Sequence, residues 1–212
     1  MLFLEFAGLF FVLPSLIALA GPRLPGLLVL WLVCIPCLMF LRRDPDFDRT
    51  QLWGRMPPGM PLLKGWTGVA VPFCLNAAVL TAAIWHWAPR LLFDLPKNNP
   101  VLWALLLCLY PVFSVYPQGL VYRAFFERRY ATLFRTPTAL VIAGGAAFGY
   151  MHIVFRNPWA MGLSFPAGLL FFARYRETRS LRVSSVEHAL YGCFIFSIGL
   201  GAYFYQGPIP KL

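Results

Sequence analysis

Long apolar runs alternate with short polar connectors along the whole chain. A helix needs about 20 apolar residues to cross the hydrocarbon core of a membrane. No run shows the alternation of apolar and polar residues that a membrane-barrel strand requires. The pattern therefore predicts an all-α fold, a polytopic transmembrane helical bundle that forms one membrane domain over residues 1–212. Seven spans are expected, at residues 2–20, 26–41, 66–88, 99–117, 137–155, 157–173 and 183–205.

The composition supports a membrane protein and narrows its partners. Hydrophobic residues make up 59% of the chain and charged residues 12%, whereas a soluble domain carries about 25% charged residues. The net charge of +10 comes from Lys and Arg that lie mainly between the apolar runs, where membrane topology explains them. Because aromatic and basic residues are not interleaved as in a single-strand binder, we expect the lipid bilayer and no nucleic acid as a partner.

The connector cations predict how the chain is oriented. Cytoplasmic loops carry an excess of Lys and Arg. Connectors within 42–64, 123–135 and 174–182 hold four or five cations each, and the connectors between them hold one or two. This alternation predicts a cytoplasmic N-terminus. The first run lacks a basic leader and carries Glu5, so we expect a retained helix there and not a signal peptide.

The cysteines do not indicate a metal or redox site. Cys34 and Cys37 match C-x-x-C, but they lie inside an apolar run without the alternating strands and helices of a thioredoxin-like unit. Packing is the expected role. We expect no metal and no other cofactor.

Ionisable residues inside membrane spans are rare and mark functional sites by default. Arg123, His152, Glu187 and His188 are the candidates. Either histidine alone is compatible with a structural role, but the two together with Arg123 favour a site. A neutral imidazole can accept a proton or donate to a developing oxyanion. Arginine keeps its charge and needs a carboxylate or several carbonyls as partners.

Three segments in this order resemble the motifs of the CPBP family, the CAAX-processing and bacteriocin-processing (abortive-infection) intramembrane glutamic endopeptidases. The family pattern is E-E-x-x-x-R, then F-x-x-x-H, then H-x-x-x-N. Here the second motif is complete, whereas the first and third depart from the pattern. The resemblance covers about residues 100–205, and the matching segments are Pro117–Arg123, Phe148–His152 and Glu187–Gly192.

The resemblance implies a peptide hydrolase with a water-filled cavity in a helical bundle. A motif-one glutamate and His152 would activate a water molecule, and Arg123 would orient a motif-one glutamate. His188 and the motif-three asparagine would support the oxyanion. The implied substrates are membrane-presented peptides or membrane proteins, with a CAAX-type tail or a leader or signal peptide. A bacterial inner (cytoplasmic) membrane is the expected location.

The departures remove the catalytic base that the family uses. Gln118 and Gly119 occupy the two glutamate positions, and Gly192 occupies the asparagine position. Of the two motif-one positions, Gly119 is the first candidate for restoring a base. Glu127 and Glu187 are candidate substitute carboxylates, although Glu127 is expected to pair with Arg123 across i,i+4 and Glu187 to lie at the interfacial surface.

Three functions stay open at this point. The chain is an active endopeptidase with a relocated base, a disabled relative of one, or a scaffold that binds a peptide or helix in the same cavity without cleaving it. A proton or solute carrier is disfavoured because the sequence contains no internal repeat.

The simple topology leaves the depth of the site unresolved. It places Arg123 and His188 near the cytoplasmic face and His152 toward the other side. Pro111 and Pro117 can kink or restart a helix, which would carry Arg123 into the bundle.

Overall fold

A computed structural model describes residues 1–21, 24–54 and 62–205, without the side chains of residues 62–65. This part of the chain is helical and contains no strand, so the predicted all-α class is confirmed. Arg23 and Arg55, which count among the connector cations, lie outside the described residues, as does the side chain of Lys64.

The helices follow one another with short connections, and we number them in chain order. Helix α1 contains a π-helical turn at Gly8–Val12, and α7 ends in a 3₁₀ turn, His152–Phe155. A last 3₁₀ turn, Leu200–Phe204, follows α9. The helices are α1 (Leu2–Ala20), α2 (Gly26–Arg43), α3 (Thr50–Trp53), α4 (Leu62–Trp87), α5 (Asp94–Asn98), α6 (Pro100–Leu133), α7 (Pro137–Phe155), α8 (Pro158–Thr178) and α9 (Leu181–Ile198).

Five helices among the described residues are long and apolar enough to cross a membrane. They are α1, α2, the Trp66–Trp87 part of α4, α6 and α7. Helices α8 and α9 are not in this set, and both carry buried charged residues. The chain is thus an integral membrane protein, whereas the count of seven spans and the cytoplasmic N-terminus stay predictions.

Polar caps fix where the later helices begin. The side chains of Asn99, Thr136 and Asn157 each accept a hydrogen bond from the backbone N–H three residues on. Each of these residues precedes a proline at the first helical position, where the missing N–H would have no partner anyway. Ser180 caps α9 in the same way, through the N–H of Val183 at 3.2 Å. The caps therefore set the register of the helices that carry all three motifs.

Helix α6 corrects the predicted end of the fourth span at residue 117. The helix continues through both internal prolines to Leu133 as one element of 34 residues. It contains two π-helical turns, Pro111–Val115 and Leu120–Phe125. A π-helical turn changes the hydrogen-bond register, and the first one begins at the proline that cannot donate. Since the charged segment continues this helix and is not a separate connector, Arg123 lies inside the bundle with 3% of its surface exposed.

Helices α7 and α8 approach closely through glycine. A β-carbon on Gly149 would lie 2.9 Å from the Cα of Phe165, and one on Gly168 would lie 3.1 Å from the Cα of Gly145. Small residues allow this kind of backbone contact between helices in membranes. The contact holds Phe148 and the following turn, which carries the second motif, against α8.

Ion pairs at one end of the bundle tie the N-terminal helices to α6. Arg129 donates to Glu5 at 2.7 Å, and the Tyr130 hydroxyl donates to the same carboxylate at 2.9 Å. Arg128 donates to Asp44 at 2.6 Å, and this hydrogen bond lowers the pKa of the Asp44 carboxyl. These contacts place α1 and the end of α2 beside the first motif.

Candidate functional site

A cavity of about 150 Å³ lies between α6, α7, α8 and α9. Gln118, His152 and His188 all line it. The continuous α6 carries Gln118 into the bundle, and this brings residues of all three motifs to one cavity, which the simple topology did not predict. The other side chains around the cavity include Tyr110, Ser114, Phe148, Ser164, Phe171, Tyr191 and Phe204.

Gln118 is the motif-one residue that faces the cavity. Its Nε2 donates to Ser114 Oγ at 2.7 Å, and its Oε1 is buried without a hydrogen-bond partner among the described residues. Gly119 does not line the cavity. Position 118, and not 119, is therefore the one at which a side chain meets the same space as His152.

The guanidinium of Arg123 occupies the space beside Gly119. A β-carbon at position 119 would overlap Arg123 Nη2 and would lie 3.0 Å from Leu181 Cδ1. Nη1 donates to the carbonyl oxygen of Ser184 at 3.2 Å and to its Oγ at 3.0 Å, and Nη2 donates to the carbonyl of Val115 at 3.5 Å. The cation also lies 5.8 Å from the ring centre of Phe171. Carbonyls, a hydroxyl and a ring thus take the part of a carboxylate.

The tautomer of His152 follows from its partner. Its Nδ1 lies 2.8 Å from the carbonyl oxygen of Phe148. A carbonyl oxygen only accepts, so Nδ1 carries the proton and donates it. In the neutral ring this leaves Nε2 with a lone pair, on a side chain that lines the cavity. His152 can therefore accept a proton from a water molecule.

His188 is held by aromatic rings. It stacks on Phe171 at 4.7 Å between ring centres and meets the edge of Phe148 at 5.3 Å. Its Nε2 lies 3.2 Å from the hydroxyl of Tyr110. Its Nδ1 is buried with no hydrogen-bond partner among the described residues. These contacts fix the position of the ring, and its Nε2 forms a hydrogen bond with Tyr110.

Tyr110 is a site residue that the sequence did not single out. A β-carbon on Gly192 would overlap both the ring and the hydroxyl of Tyr110, so Tyr110 fills the place of the family asparagine. The available signal is spacing, since Tyr110, Ser114 and Gln118 recur every four residues in an otherwise apolar helix.

Both candidate substitute carboxylates are engaged elsewhere. Glu127 pairs with Arg176 at 3.2 Å and with Arg179 at 2.9 Å, so its expected pairing with Arg123 is wrong. Its partners are instead these two arginines, which lie at and just after the end of α8. Neither Glu127 nor Glu187 lines the cavity.

Glu187 is fully buried, which corrects its expected surface position. Arg174 on α8 donates to it at 3.2 Å and also binds the carbonyl of Gly68. A buried carboxylate needs such a partner, and the pair cross-links α8 and α9. In the described part of the chain, no group of three or more His, Cys, Asp or Glu side chains could hold a metal ion.

A second, apolar cavity of about 610 Å³ adjoins the first. Its walls are mostly apolar side chains from α1, α2, α6 and α7, among them Leu13, Ile17, Leu27 and Leu30. Tyr110, Ser114, Gln118 and His152 line both cavities. The polar site therefore opens directly into an apolar one.

The three motifs lie in a region that matches a known family model. Residues 97–194 match the model described as type II CAAX prenyl endopeptidase Rce1-like. Comparison with curated proteins and with solved structures finds no significant match. The matched region holds the motif segments of α6, α7 and α9. The predicted resemblance of this membrane protein to the CPBP family of CAAX-type endopeptidases is therefore confirmed over residues 97–194.

Proposed function

We propose that the chain carries the site of a CAAX-protease-type membrane endopeptidase from which the water-activating carboxylate has been lost. The observation that carries this proposal is the meeting of Gln118, His152 and His188 at one cavity. The site residues are these three together with Arg123 and Gly119.

The retained groups suit the hydrolysis of a peptide bond. Hydrolysis needs a base that removes a proton from water and donors that stabilise the new oxyanion. His152 offers a lone pair, and the second nitrogen of His188 is linked to Tyr110. A carboxylate at position 118 would share the water proton with His152, which is the division of labour that the family resemblance implies.

The missing group explains why we expect little hydrolysis from this chain. Gln118 can hydrogen-bond a water molecule but cannot take its proton, and Gly119 does neither. General acid–base catalysis contributes about 10²–10⁴-fold to a rate. We therefore propose a site that binds its peptide and cleaves it slowly or not at all.

The substrate that we propose is a peptide presented at the membrane. The apolar cavity between α1, α2 and α6 offers a place beside the site for an apolar part of the substrate. A CAAX-type tail and a leader or signal peptide both meet this description. The bacterial inner membrane, with a cytoplasmic N-terminus, remains the proposed location.

A non-catalytic scaffold is the second candidate. Arg123 is hydrogen-bonded to Ser184 and Val115, and it fills the space beside Gly119. Arg123 therefore needs no carboxylate at position 119 to keep its place, which is compatible with a site that binds a peptide without cleaving it. Two results together would select this candidate. Peptide binding would survive His152→Ala, and a carboxylate introduced at position 118 would not make the protein active.

The test is a cleavage assay in vesicles with a library of membrane-tethered peptides. It compares four proteins: the native chain and the single variant Gln118→Glu, together with two double variants. The double variants add Gly119→Glu or His152→Ala to Gln118→Glu. The native chain is the matched control, because glutamine and glutamate have the same shape. We expect cleavage by Gln118→Glu that His152→Ala abolishes. Rapid cleavage by the native chain, or none by any variant, would overturn the proposal.

A further inference from the structure

We propose that the hydroxyl of Tyr110 replaces the family's motif-three asparagine as a donor to the substrate's carbonyl oxygen, and that His188 positions this hydroxyl. The inference rests on the proposed function and adds a catalytic residue to it. In addition, it changes the role of His188 from a group facing the substrate to a group that acts through Tyr110.

Tyr110 occupies the space beside Gly192. An asparagine cannot occupy position 192 while Tyr110 keeps its place, because even a β-carbon there would overlap the tyrosine ring and hydroxyl. Conversely, only glycine leaves that space free. Tyr110 and Gly192 are therefore matched to each other, and the hydroxyl lies beside the point where the asparagine side chain would start.

The surroundings of His188 indicate the direction of its hydrogen bond with Tyr110. His188 Nδ1 is buried without a partner among the described residues. A buried N–H donor without an acceptor is costly, whereas a ring lone pair without a donor is tolerated better. The proton therefore sits on Nε2, which donates to the Tyr110 oxygen at 3.2 Å.

The direction of this hydrogen bond leaves the Tyr110 hydroxyl with a proton to donate. With its oxygen accepting from His188, the Tyr110 O–H is left as a donor, and within the described residues it has no other hydrogen bond. Tyr110 lines both cavities, so this donor lies where the polar and apolar spaces meet. Its partner in the complex would be an oxygen of the bound peptide.

The role in the reaction is that of an oxyanion donor. In the Gln118→Glu variant, water adds to the carbonyl carbon of the scissile bond, its proton passes to the carboxylate at position 118, and the carbonyl oxygen becomes an alkoxide. That oxygen accepts the hydrogen bond from Tyr110. When the C–N bond breaks, the group at position 118 gives this proton to the leaving nitrogen and the carbonyl re-forms. Donors aimed at developing charge in a dry site act in this way.

The first test reads the tautomer and does not depend on cleavage. The chain has three histidines, so a ¹⁵N-histidine NMR spectrum in detergent micelles resolves His188. We expect His188 protonated at Nε2, and Tyr110→Phe should shift that signal while leaving His152 unchanged. A proton on Nδ1 of His188, or a His188 signal that ignores Tyr110→Phe, would overturn the inference.

The second test reads the chemistry in the Gln118→Glu background. Tyr110→Phe keeps the ring and removes the donor, so we expect kcat to fall about 100-fold, as for other oxyanion donors, with KM nearly constant. Tyr130→Phe is the matched control, because the Tyr130 hydroxyl bonds Glu5 and Tyr130 lines neither cavity, and it should leave kcat unchanged.

The two tests separate the failure of the inference from the failure of the proposed function. If Gln118→Glu cleaves and Tyr110→Phe cleaves equally fast, Tyr110 only fills space and the inference is wrong, while the function stands. If Gln118→Glu cleaves nothing, the proposed function fails and with it the donation to a scissile carbonyl. The histidine spectrum still decides whether His188 holds Tyr110.

Discussion

Arg123 shows how a buried charge can be held by neutral oxygens in place of a carboxylate, although its Nε has no hydrogen-bond partner among the described residues. Its guanidinium binds the backbone and hydroxyl oxygens of Ser184, and the Ser184 hydroxyl in turn donates to the carbonyl of Phe171 at 2.7 Å. Hydrogen bonds to charged groups are roughly twice as strong as neutral ones. Ser184 therefore links the motif-one arginine to both α8 and α9.

Two adjacent serines test this link. Ser184→Ala removes an acceptor from a buried cation, so we expect it to lower the free energy of unfolding by about 1–3 kcal/mol. Ser185 is the matched control, because its hydroxyl is buried with no hydrogen-bond partner among the described residues, and Ser185→Ala should be close to neutral. Thermal unfolding in detergent measures both. Equal losses for the two variants would mean that Ser184 does not hold Arg123.

The sequence located some site residues and missed others for physical reasons. Gln118, His152 and His188 follow from motif order, because a polar residue in an apolar span stands out. Tyr110 was missed because its role depends on the space left by Gly192 on another helix. Glu187 was placed at the surface because nothing in its own segment reveals that Arg174 meets it.

Among the helices, the contact of α8 with α9 depends on a buried ion pair. Arg174 contacts Glu187, which has no exposed surface, and Glu177, whose side chain is 53% exposed. The two carboxylates share one cation and differ in burial. Removing Glu187 takes a buried acceptor from Arg174, whereas the exposed pair with Glu177 contributes little.

This difference predicts unequal effects of two similar substitutions. Glu187→Ala should lower the free energy of unfolding by about 1–3 kcal/mol, because Arg174 loses its buried acceptor but keeps Glu177. Glu177→Ala should lower it by less than about 1 kcal/mol. Adding Arg174→Ala to Glu187→Ala should not recover the loss, because Arg174 keeps Glu177 and the Gly68 carbonyl as partners in the single variant. Chemical denaturation in micelles gives the three values. A larger loss for Glu177→Ala than for Glu187→Ala would contradict the pairing.

The full length of helix α6 could not be predicted from hydropathy alone. Apolar composition located its first half, but a charged segment after Pro117 looked like a connector. The π-helical turns at Pro111–Val115 and Leu120–Phe125 let the helix continue. Hydrogen-bond register is not visible in a hydropathy pattern, and it is this register that brings Gln118 to the cavity that His152 lines.

At the scale of the whole molecule, the distribution of cations predicts one orientation in the membrane. The segment around Arg179 and Arg182 should face the cytoplasm, and the turn at Arg156 the opposite side. Single cysteines placed at positions 156 and 182, in a chain without its native cysteines, should react with impermeant reagents from opposite sides of intact cells. Labelling of both from the same side would contradict the topology.

We propose that a carboxylate at position 118 is sufficient to restore hydrolysis. The most direct measurement is kcat and KM of Gln118→Glu and of the native chain on the same membrane-tethered peptide. We predict a similar KM, because binding contacts are shared, and a kcat at least about 100-fold higher for Gln118→Glu, since a general base is restored. Equal kcat values for the two proteins would contradict the account.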